Sequence, residues 1–250
     1  MSAALQTFDL VKSFGGITAT DHVDFTLAKG ARHALIGPNG AGKTTFVNQL
    51  TGVLKPSSGR IALMGEDITG LPREARVKRG LARTFQINQL FATMTPLEMI
   101  ALVISERLGR GSHLFRTLDR DTELVSQVAD ILSRFRLDDI MDRTIATLPY
   151  GKQRQIEIAA AFAARPSVLL LDEPAAGVPE AERRELMRTV ADLPADVSVL
   201  LIEHDMDVVF RFATRITVLV NGRVLAEGTP EEMARNAAVR EAYLGEDAHV

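Results

Sequence analysis

One run of residues near the start of the chain has the types and spacing that hold phosphate groups. Gly37–Thr44 reads Gly-Pro-Asn-Gly-Ala-Gly-Lys-Thr and matches the pattern G-x-x-x-x-G-K-[ST] at every fixed position. The glycines let backbone N–H groups converge on phosphate oxygens because no Cβ intrudes. Lys43 supplies a positive charge to the β- and γ-phosphates, and the Thr44 hydroxyl is a ligand for Mg²⁺. The pattern predicts a site for a nucleoside triphosphate.

The residues on either side of this loop give it the context that such a site needs. Ala31–Ile36 is short and mostly apolar, which predicts a buried strand, and Thr45–Leu50 indicates the first turns of a helix. A helix N-terminus offers N–H groups and the positive end of the helix dipole to an anion. A chance glycine-rich turn is the alternative, and the agreement of motif and context argues against it.

A pair of carboxylates follows a second apolar run. Ser167–Leu171 predicts a buried strand, and Asp172 and Glu173 come directly after it. Acidic residues at a strand end often only cap a following helix. Beside a phosphate loop, however, the first carboxylate is expected to hold Mg²⁺ and the second to act as base or polariser for a hydrolytic water. We assign Asp172 to the metal and Glu173 to catalysis.

A histidine follows a third apolar strand, Val197–Ile202. His204 stands just past its end, and strand ends in a parallel sheet converge on the ligand crevice. Its imidazole is suited to donate a hydrogen bond to the γ-phosphate or to orient water near pH 7. The alternative is a hydrogen-bonded structural histidine. We assign His204 to catalysis.

Two further residues are weaker candidates for nucleotide contacts. Phe14, in Phe-Gly-Gly, presents an aromatic face that could stack on adenine, and the alternative is a ring packed under the sheet. The amide oxygen of Gln86 can ligate Mg²⁺, and a surface loop residue is the alternative there. Taken with the loop, the candidate nucleotide-contacting residues are Phe14, Gly37, Pro38, Asn39, Gly40, Ala41, Gly42, Lys43, Thr44, Thr45 and Gln86; the candidate Mg²⁺ ligands are Thr44, Gln86 and Asp172.

Length and composition exclude several classes of function. The chain has 250 residues, no cysteine and a formal net charge of −3, so disulfides, thiol catalysis and a global attraction to nucleic acid are not expected. The basic cluster Arg73–Arg83 is interpreted as a solvated helix face. The N-terminus lacks the pattern of a signal peptide, and no apolar run approaches the length of a membrane span. Work at a membrane would therefore depend on a partner.

The elements that must position these residues change character along the chain. Early short strands without intervening helices predict an antiparallel flank, and later apolar strands separated by helices predict a mainly parallel sheet, completed by a hairpin at Asn221-Gly222. Thr95 and Thr229 each open a capping box. Between the two α/β parts the pattern is helical. The sequence thus predicts one α/β domain, with a nucleotide-binding core and flank in residues 1–86 and 161–250 and a helical subdomain in residues 87–160.

Leu148–Arg154, about twenty residues before Asp172, reads Leu-Pro-Tyr-Gly-Lys-Gln-Arg and resembles the signature sequence of ATP-binding cassette (ABC) ATPases. With Phe14, the phosphate loop, Gln86, Asp172–Glu173 and His204 in order, the resemblance covers essentially the whole chain. It implies ATP and Mg²⁺ as cofactors and two cassettes that close head to tail, with each ATP held by one phosphate loop and the other subunit's signature helix. The residues implied to face the ATP bound to the partner are Leu148, Pro149, Tyr150, Gly151 and Lys152.

The sequence departs from the common ABC pattern at three places. Pro149 replaces the usual serine, Tyr150 replaces the first glycine, and Ala175–Pro179 lacks the aspartate that usually ends the D-loop. These variants, with the closing Tyr243–Gly245, resemble the LivG-like ATPases of branched-chain amino acid importers.

The resemblance implies an ATP-hydrolysing motor subunit of an importer for branched-chain amino acids or related small polar solutes. Its implied partners are a second ABC ATPase subunit, identical or related, transmembrane permease subunits and, indirectly, a periplasmic or extracellular solute-binding protein. No nucleic acid is expected. The implied location is the cytoplasmic face of the inner membrane, where the permease holds the chain. The alternatives are a lipopolysaccharide-export type ATPase, a soluble cassette in translation or DNA maintenance, and a regulatory cassette that binds ATP without turnover.

Overall fold

The computed structural model describes residues 2–84, 90–110 and 121–244, and the chain divides into two compact units. The first, which we name the core unit, takes in Met1–Arg83, Ser167–Glu173 and Pro194–Val250. The second, the helical unit, takes in Thr84–Pro166 and Pro174–Leu193. The division into functional subdomains at 86/87 and 160/161 stays a prediction.

The core unit contains both sheets. Its strands are β1 (Ala3–Phe14), β2 (Ile17–Ala28), β3 (Arg32–Ile36), β4 (Ser58–Leu63), β5 (Glu66–Asp67), β6 (Leu81–Arg83), β7 (Val168–Asp172), β8 (Ser198–Ile202), β9 (Arg215–Val220) and β10 (Arg223–Gly228). Its helices are α1 (Lys43–Leu50), α2 (Arg73–Lys78), α7 (Met206–Phe212), α8 (Pro230–Arg235) and α9 (Ala237–Leu244).

The larger sheet has the order β10-β9-β3-β8-β7-β6, and all its pairings are parallel except that of β10 with β9. The smaller sheet, β2-β1-β4-β5, is antiparallel. The parallel sheet, the antiparallel flank and the closing hairpin are therefore confirmed. At the hairpin turn Asn221 and Gly222 both have positive φ, 49° and 77°, as a type I′ turn requires.

A single hydrophobic cluster joins the two sheets to α1. It includes Phe46, Val47 and Leu50 of α1, and Phe25 packs edge-on against Phe46 with the ring centroids 5.6 Å apart. Burial of these side chains fixes the helix that carries the phosphate loop. The other buried members are Ala4, Leu5, Leu10, Val23, Leu27, Leu35, Ile61, Leu63, Ile68, Leu81, Val168, Leu170, Leu200, Ile202 and Leu219.

The helical unit contains α3 (Pro96–Arg107), α4 (Thr122–Arg134), α5 (Tyr150–Ala163) and α6 (Glu180–Ala191), with short 3₁₀ turns at Asp138–Ile140 and Ile145–Thr147. Its described residues form no strand, which agrees with the helical pattern. The capping box at Thr95 is present: its side chain accepts from Glu98 N, and the Glu98 carboxylate accepts from Thr95 N. The capping box at Thr229 is present in the core unit.

The interpretation of Arg73–Arg83 as a solvated helix face is wrong for two of its arginines. Arg76 is only 1% exposed, and its guanidinium donates to Gln49 O and Leu50 O, the carbonyls that end α1. The side chain of Arg83 is 10% exposed. Arg76 is buried and Arg83 is partly buried because each finds oxygen partners in the core unit, which composition does not reveal.

Candidate nucleotide-binding site

The phosphate loop has a backbone that only glycine fits at two of its positions. Gly37 has φ 155°, and a Cβ there would lie 2.1 Å from Leu219 O. Gly42 has φ 98°, and its Cβ would lie 2.3 Å from Ala19 O. β9 and β2 therefore pack directly against the loop backbone. Both glycines are required by sterics as well as by the access that phosphate needs.

Lys43 lies beneath the loop. Its ammonium donates to Gly37 O at 2.6 Å and to Pro38 O at 2.9 Å. These two carbonyl partners hold the charge at the start of the loop. Gly42 is the N-cap of α1 and brings no side chain to the first-turn N–H groups. Thr44, which follows Lys43, is exposed.

The β9–β10 turn braces the loop from behind. Gly222 N donates to Ala41 O, and Gly222 O accepts from Asp21 N, both at 2.9 Å. This relay ties the loop to the hairpin turn and to β2. Phosphate binding thus depends on a backbone held in place before a ligand arrives.

Asp172 ends β7 and forms an ion pair at the neighbouring strand end. Arg83, the last residue of β6, donates through Nη2 to Asp172 Oδ2 at 2.6 Å and through Nη1 to Asn48 Oδ1 at 2.7 Å. The Asp172 side chain is 14% exposed. The carboxylate is therefore held in one orientation by a charge-assisted hydrogen bond.

Glu173 and His204 meet at the ends of β7 and β8. His204 Nδ1 lies 3.5 Å from Glu173 Oε1, and Glu173 N continues the ladder by donating to Ile202 O. Glu173 has φ 46°, an uncommon left-handed conformation for a residue with a side chain. The carboxylate of Glu203, a residue 1% exposed, accepts from His204 N at 3.1 Å and so supports the turn that carries the imidazole.

The oxygen donors of this site fit Mg²⁺. The described residues contain no group of three or more histidines and acids able to enclose a metal ion. A single carboxylate, Asp172, and a hydroxyl, Thr44, are instead donors of the kind used by Mg²⁺ sites that water and nucleotide phosphates complete. These two residues fit the ion that the resemblance implies.

Phe14 lies at the tip of the β1–β2 hairpin, opposite Ile17. It is 48% exposed, and Lys12 Nζ lies 5.0 Å from its ring centroid. The ring is therefore not packed under the sheet. Gln86 lies outside the described residues, so its assignment stays a prediction.

The signature residues open α5 in the helical unit. Pro149 is the N-cap, Leu148 is buried and Tyr150 is 40% exposed. A Cβ at Gly151 would lie 2.0 Å from Glu182 Oε2 of α6, so the end of that flexible side chain would have to shift to admit a larger residue. Lys152 donates to Gln155 Oε1 within α5. At the N-terminus of α5, the N-cap residue Pro149 makes no side-chain capping hydrogen bond.

Three supporting residues escaped the sequence analysis. Arg83 orients Asp172, Glu203 supports His204, and Gly222 braces the phosphate loop. The Asn221-Gly222 pattern predicts a hairpin turn, but it does not predict that Gly222 contacts the phosphate loop. Charged residues that the fold partly or fully buries, such as Arg83 and Glu203, leave no periodic pattern in the sequence. Only the fold shows their partners.

Comparison with known proteins agrees with this geometry. The family described as "ABC transporter" matches residues 20–176, and the family described as "Branched-chain amino acid ATP-binding cassette transporter" matches residues 223–249. The chain is 40% identical to the high-affinity branched-chain amino acid transport ATP-binding protein BraF of Pseudomonas aeruginosa, covering 97% of this chain and 98% of BraF. It is 41% identical to LivG of Salmonella typhimurium, covering 95% and 96%.

Solved structures give the same result. The ADP conformation of MJ1267, an ATP-binding cassette of an ABC transporter, superposes with a TM-score of 0.85 at 32% identity and covers 98% of this chain and 100% of that one. A nucleotide-free ABC transporter cassette gives a TM-score of 0.82 at 31% identity and covers 96% and 98%. The fold and the resemblance drawn from the motifs are confirmed. The chain therefore belongs to the ATP-binding subunits of ABC transporters, in the LivG/BraF group.

Proposed function

We propose that this chain is the ATPase motor of an importer for branched-chain amino acids or related small polar solutes. The observation that carries the proposal is the pair Glu173–His204, 3.5 Å apart, at strand ends beside the ion-paired Asp172. Such a pair suits hydrolysis rather than binding alone. The transport ATP-binding proteins BraF and LivG, at about 40% identity over nearly the whole chain, support the substrate class.

The phosphate loop binds the nucleotide in this proposal. Backbone N–H groups of Gly37 and of residues 39–45 hold the phosphate oxygens, and Lys43 exchanges its two loop carbonyls for the β- and γ-phosphates. Phe14 stacks on adenine. Thr44, Asp172 and Gln86 hold Mg²⁺, which when bound neutralises phosphate charge in the transition state.

Glu173 and His204 act on the attacking water. The Glu173 carboxylate orients the water and accepts its proton, and His204 donates a hydrogen bond toward the γ-phosphate while holding Glu173 in place. Glu173 has a left-handed backbone where β7 ends, and the buried Glu203 accepts a hydrogen bond from the His204 backbone. These two supports keep the pair together before substrate arrives.

A second cassette completes the site. The uncapped N-terminus of α5, with Leu148, Pro149, Tyr150, Gly151 and Lys152, binds the ATP held by the partner, since a helix N-terminus favours an anion. ATP binding closes the dimer, and hydrolysis reopens it. A dimeric cassette bound to ADP and Pi shares this fold, at 23% identity and a TM-score of 0.74.

The remaining partners follow from the transport role. Transmembrane permease subunits hold the chain at the cytoplasmic face of the inner membrane, and a solute-binding protein delivers the substrate to them. Among the described residues no helix has the length and apolar character to cross a membrane.

Purification of the tagged chain from detergent-extracted membranes tests the transport role. We expect membrane-spanning subunits to co-purify, and proteoliposomes of the complex to take up a branched-chain amino acid only with ATP. Recovery in a ribosome- or DNA-bound complex, without membrane subunits, would contradict the proposal.

A further inference from the structure

The guanidinium of Arg83 joins two elements of the core unit. One nitrogen, Nη1, donates to Asn48 Oδ1 at 2.7 Å, and the other, Nη2, donates to Asp172 Oδ2 at 2.6 Å. The Arg83 and Asp172 side chains are 10% and 14% exposed, so solvent screens the contact little. The bridge is thus a part-buried, charge-assisted link between α1 and the end of β7.

Both of the joined elements carry a proposed Mg²⁺ ligand. Asn48 lies four residues after Thr44 on α1, so the two side chains share one face of that helix. Asp172 is itself the second ligand. The bridge therefore joins the same two elements as the proposed metal site.

We propose that Arg83 is a positioning residue for Mg²⁺: it sets the Asp172 carboxylate relative to the helix face that carries Thr44. The inference rests on the proposed roles of Thr44 and Asp172 as ligands. A planar guanidinium holds two acceptors at a fixed separation, which a flexible lysine ammonium does not. Partners that orient a metal ligand in this way typically change metal affinity about 10- to 100-fold.

A second effect of Arg83 acts in the opposite direction. Its positive charge partly cancels the negative potential of the Asp172 carboxylate and repels a nearby Mg²⁺ ion. If charge dominated, removing Arg83 would tighten Mg²⁺ binding. The contact with Asn48 separates the two effects, because Asn48 is neutral and its loss removes the bridge without removing the charge.

Mg²⁺ titrations of the full chain with a fluorescent ATP analogue test the proposal. We compare the wild type with Arg83→Gln, Asn48→Ala and the double variant, and measure the Mg²⁺ concentration at half-saturation of the fluorescence change. Each single variant should raise this concentration about tenfold. The half-saturating Mg²⁺ concentration of the double variant should not exceed that of the more impaired single variant, because both substitutions break the same bridge. Affinity for the analogue in EDTA should stay within about twofold of wild type.

The controls separate positioning from general damage. Arg79→Gln removes an arginine that pairs with Glu66 in the core unit, with side chains 38% and 57% exposed, and should leave the Mg²⁺ titration unchanged. Arg83→Lys keeps the charge and should restore little. An unchanged or lowered half-saturation in both Arg83→Gln and Asn48→Ala, or an equal loss of affinity in EDTA, overturns the inference. Absence of any Mg²⁺ dependence in the wild type instead defeats the proposed metal site itself.

Discussion

His204 Nδ1 lies 3.5 Å from Glu173 Oε1, across the ends of two adjacent parallel strands. The two side chains differ in exposure, 64% for His204 and 23% for Glu173. The carboxylate is thus partly withdrawn from water, while most of the imidazole is exposed to solvent. This arrangement suits a fixed base beside a donor that engages the nucleotide.

Replacing His204 by alanine should slow hydrolysis while ATP still binds. The change removes both the hydrogen-bond donor and the group that holds Glu173, so we expect kcat to fall about a hundredfold. The dissociation constant for ATP, measured by fluorescence, should change by less than about threefold. His22→Ala, at an exposed histidine of the β1–β2 region, is the matched control and should keep wild-type turnover. A kcat within about twofold of wild type would leave His204 a structural residue.

Replacing Phe14 by alanine should weaken ATP binding through the base alone. Stacking of an aromatic ring on a base contributes about 1–3 kcal/mol, so ATP affinity should fall about tenfold. Inorganic triphosphate, which lacks the base, should compete as well as before, and Phe14→Tyr should restore ATP binding. Because the ring is 48% exposed, stability should change little. If the affinities for ATP and for triphosphate fell equally, the effect of Phe14→Ala would not act through adenine recognition.

His33 makes the stability of the fold fall in mild acid. Burial lowers the pKa of His33 to about 4 from 6.5, and its Nε2 pairs with Thr217 Oγ1 at 2.8 Å. The unfolded chain therefore takes up this proton first, so the stabilisation is complete above pH 6.5 and is lost as pH falls toward 4. Urea unfolding at pH 5 should give about 2 kcal/mol less stability from this group than at pH 7.5.

The variant His33→Gln identifies the source of that loss. Glutamine does not titrate, so its difference in unfolding free energy between pH 7.5 and pH 5 should be smaller than that of the wild type. His22 is the control, because hydrogen bonding to Asp9 raises its pKa, which stabilises the fold at low rather than high pH. His22→Gln should therefore not flatten the profile. An identical pH dependence in wild type and His33→Gln would assign the acid sensitivity to other groups.

The sequence predicts those parts of the fold that local rules control. The apolar periodicity of Thr122–Arg134, the capping box at Thr95 and the Asn221-Gly222 turn each depend on residues a few positions apart. The phosphate loop also depends on local residues, because its glycines permit its backbone conformation. These features could be read without knowledge of any long-range contact.

What could not be predicted depends on partners distant in sequence. Leu81–Arg83 is a three-residue strand, too short for a periodic pattern, and it forms only because it pairs with β7. Met206–Phe212 is a seven-residue helix begun by the Asp205 side chain. The sequence around Arg76 predicts a surface cation, because its acceptors lie at the end of α1, distant in sequence. The same limit explains why the predicted site contained Asp172 but not Arg83.

The most direct test of the account is the variant Glu173→Gln, because an amide keeps the shape of the carboxylate and cannot accept the proton. Mg²⁺-dependent phosphate release should be measured with the permease subunits present, beside ATP binding to the same preparation. We predict that hydrolysis falls at least about a hundredfold while ATP affinity stays within about threefold of wild type. Substantial hydrolysis by the Glu173→Gln variant would contradict the assignment of Glu173 as the base.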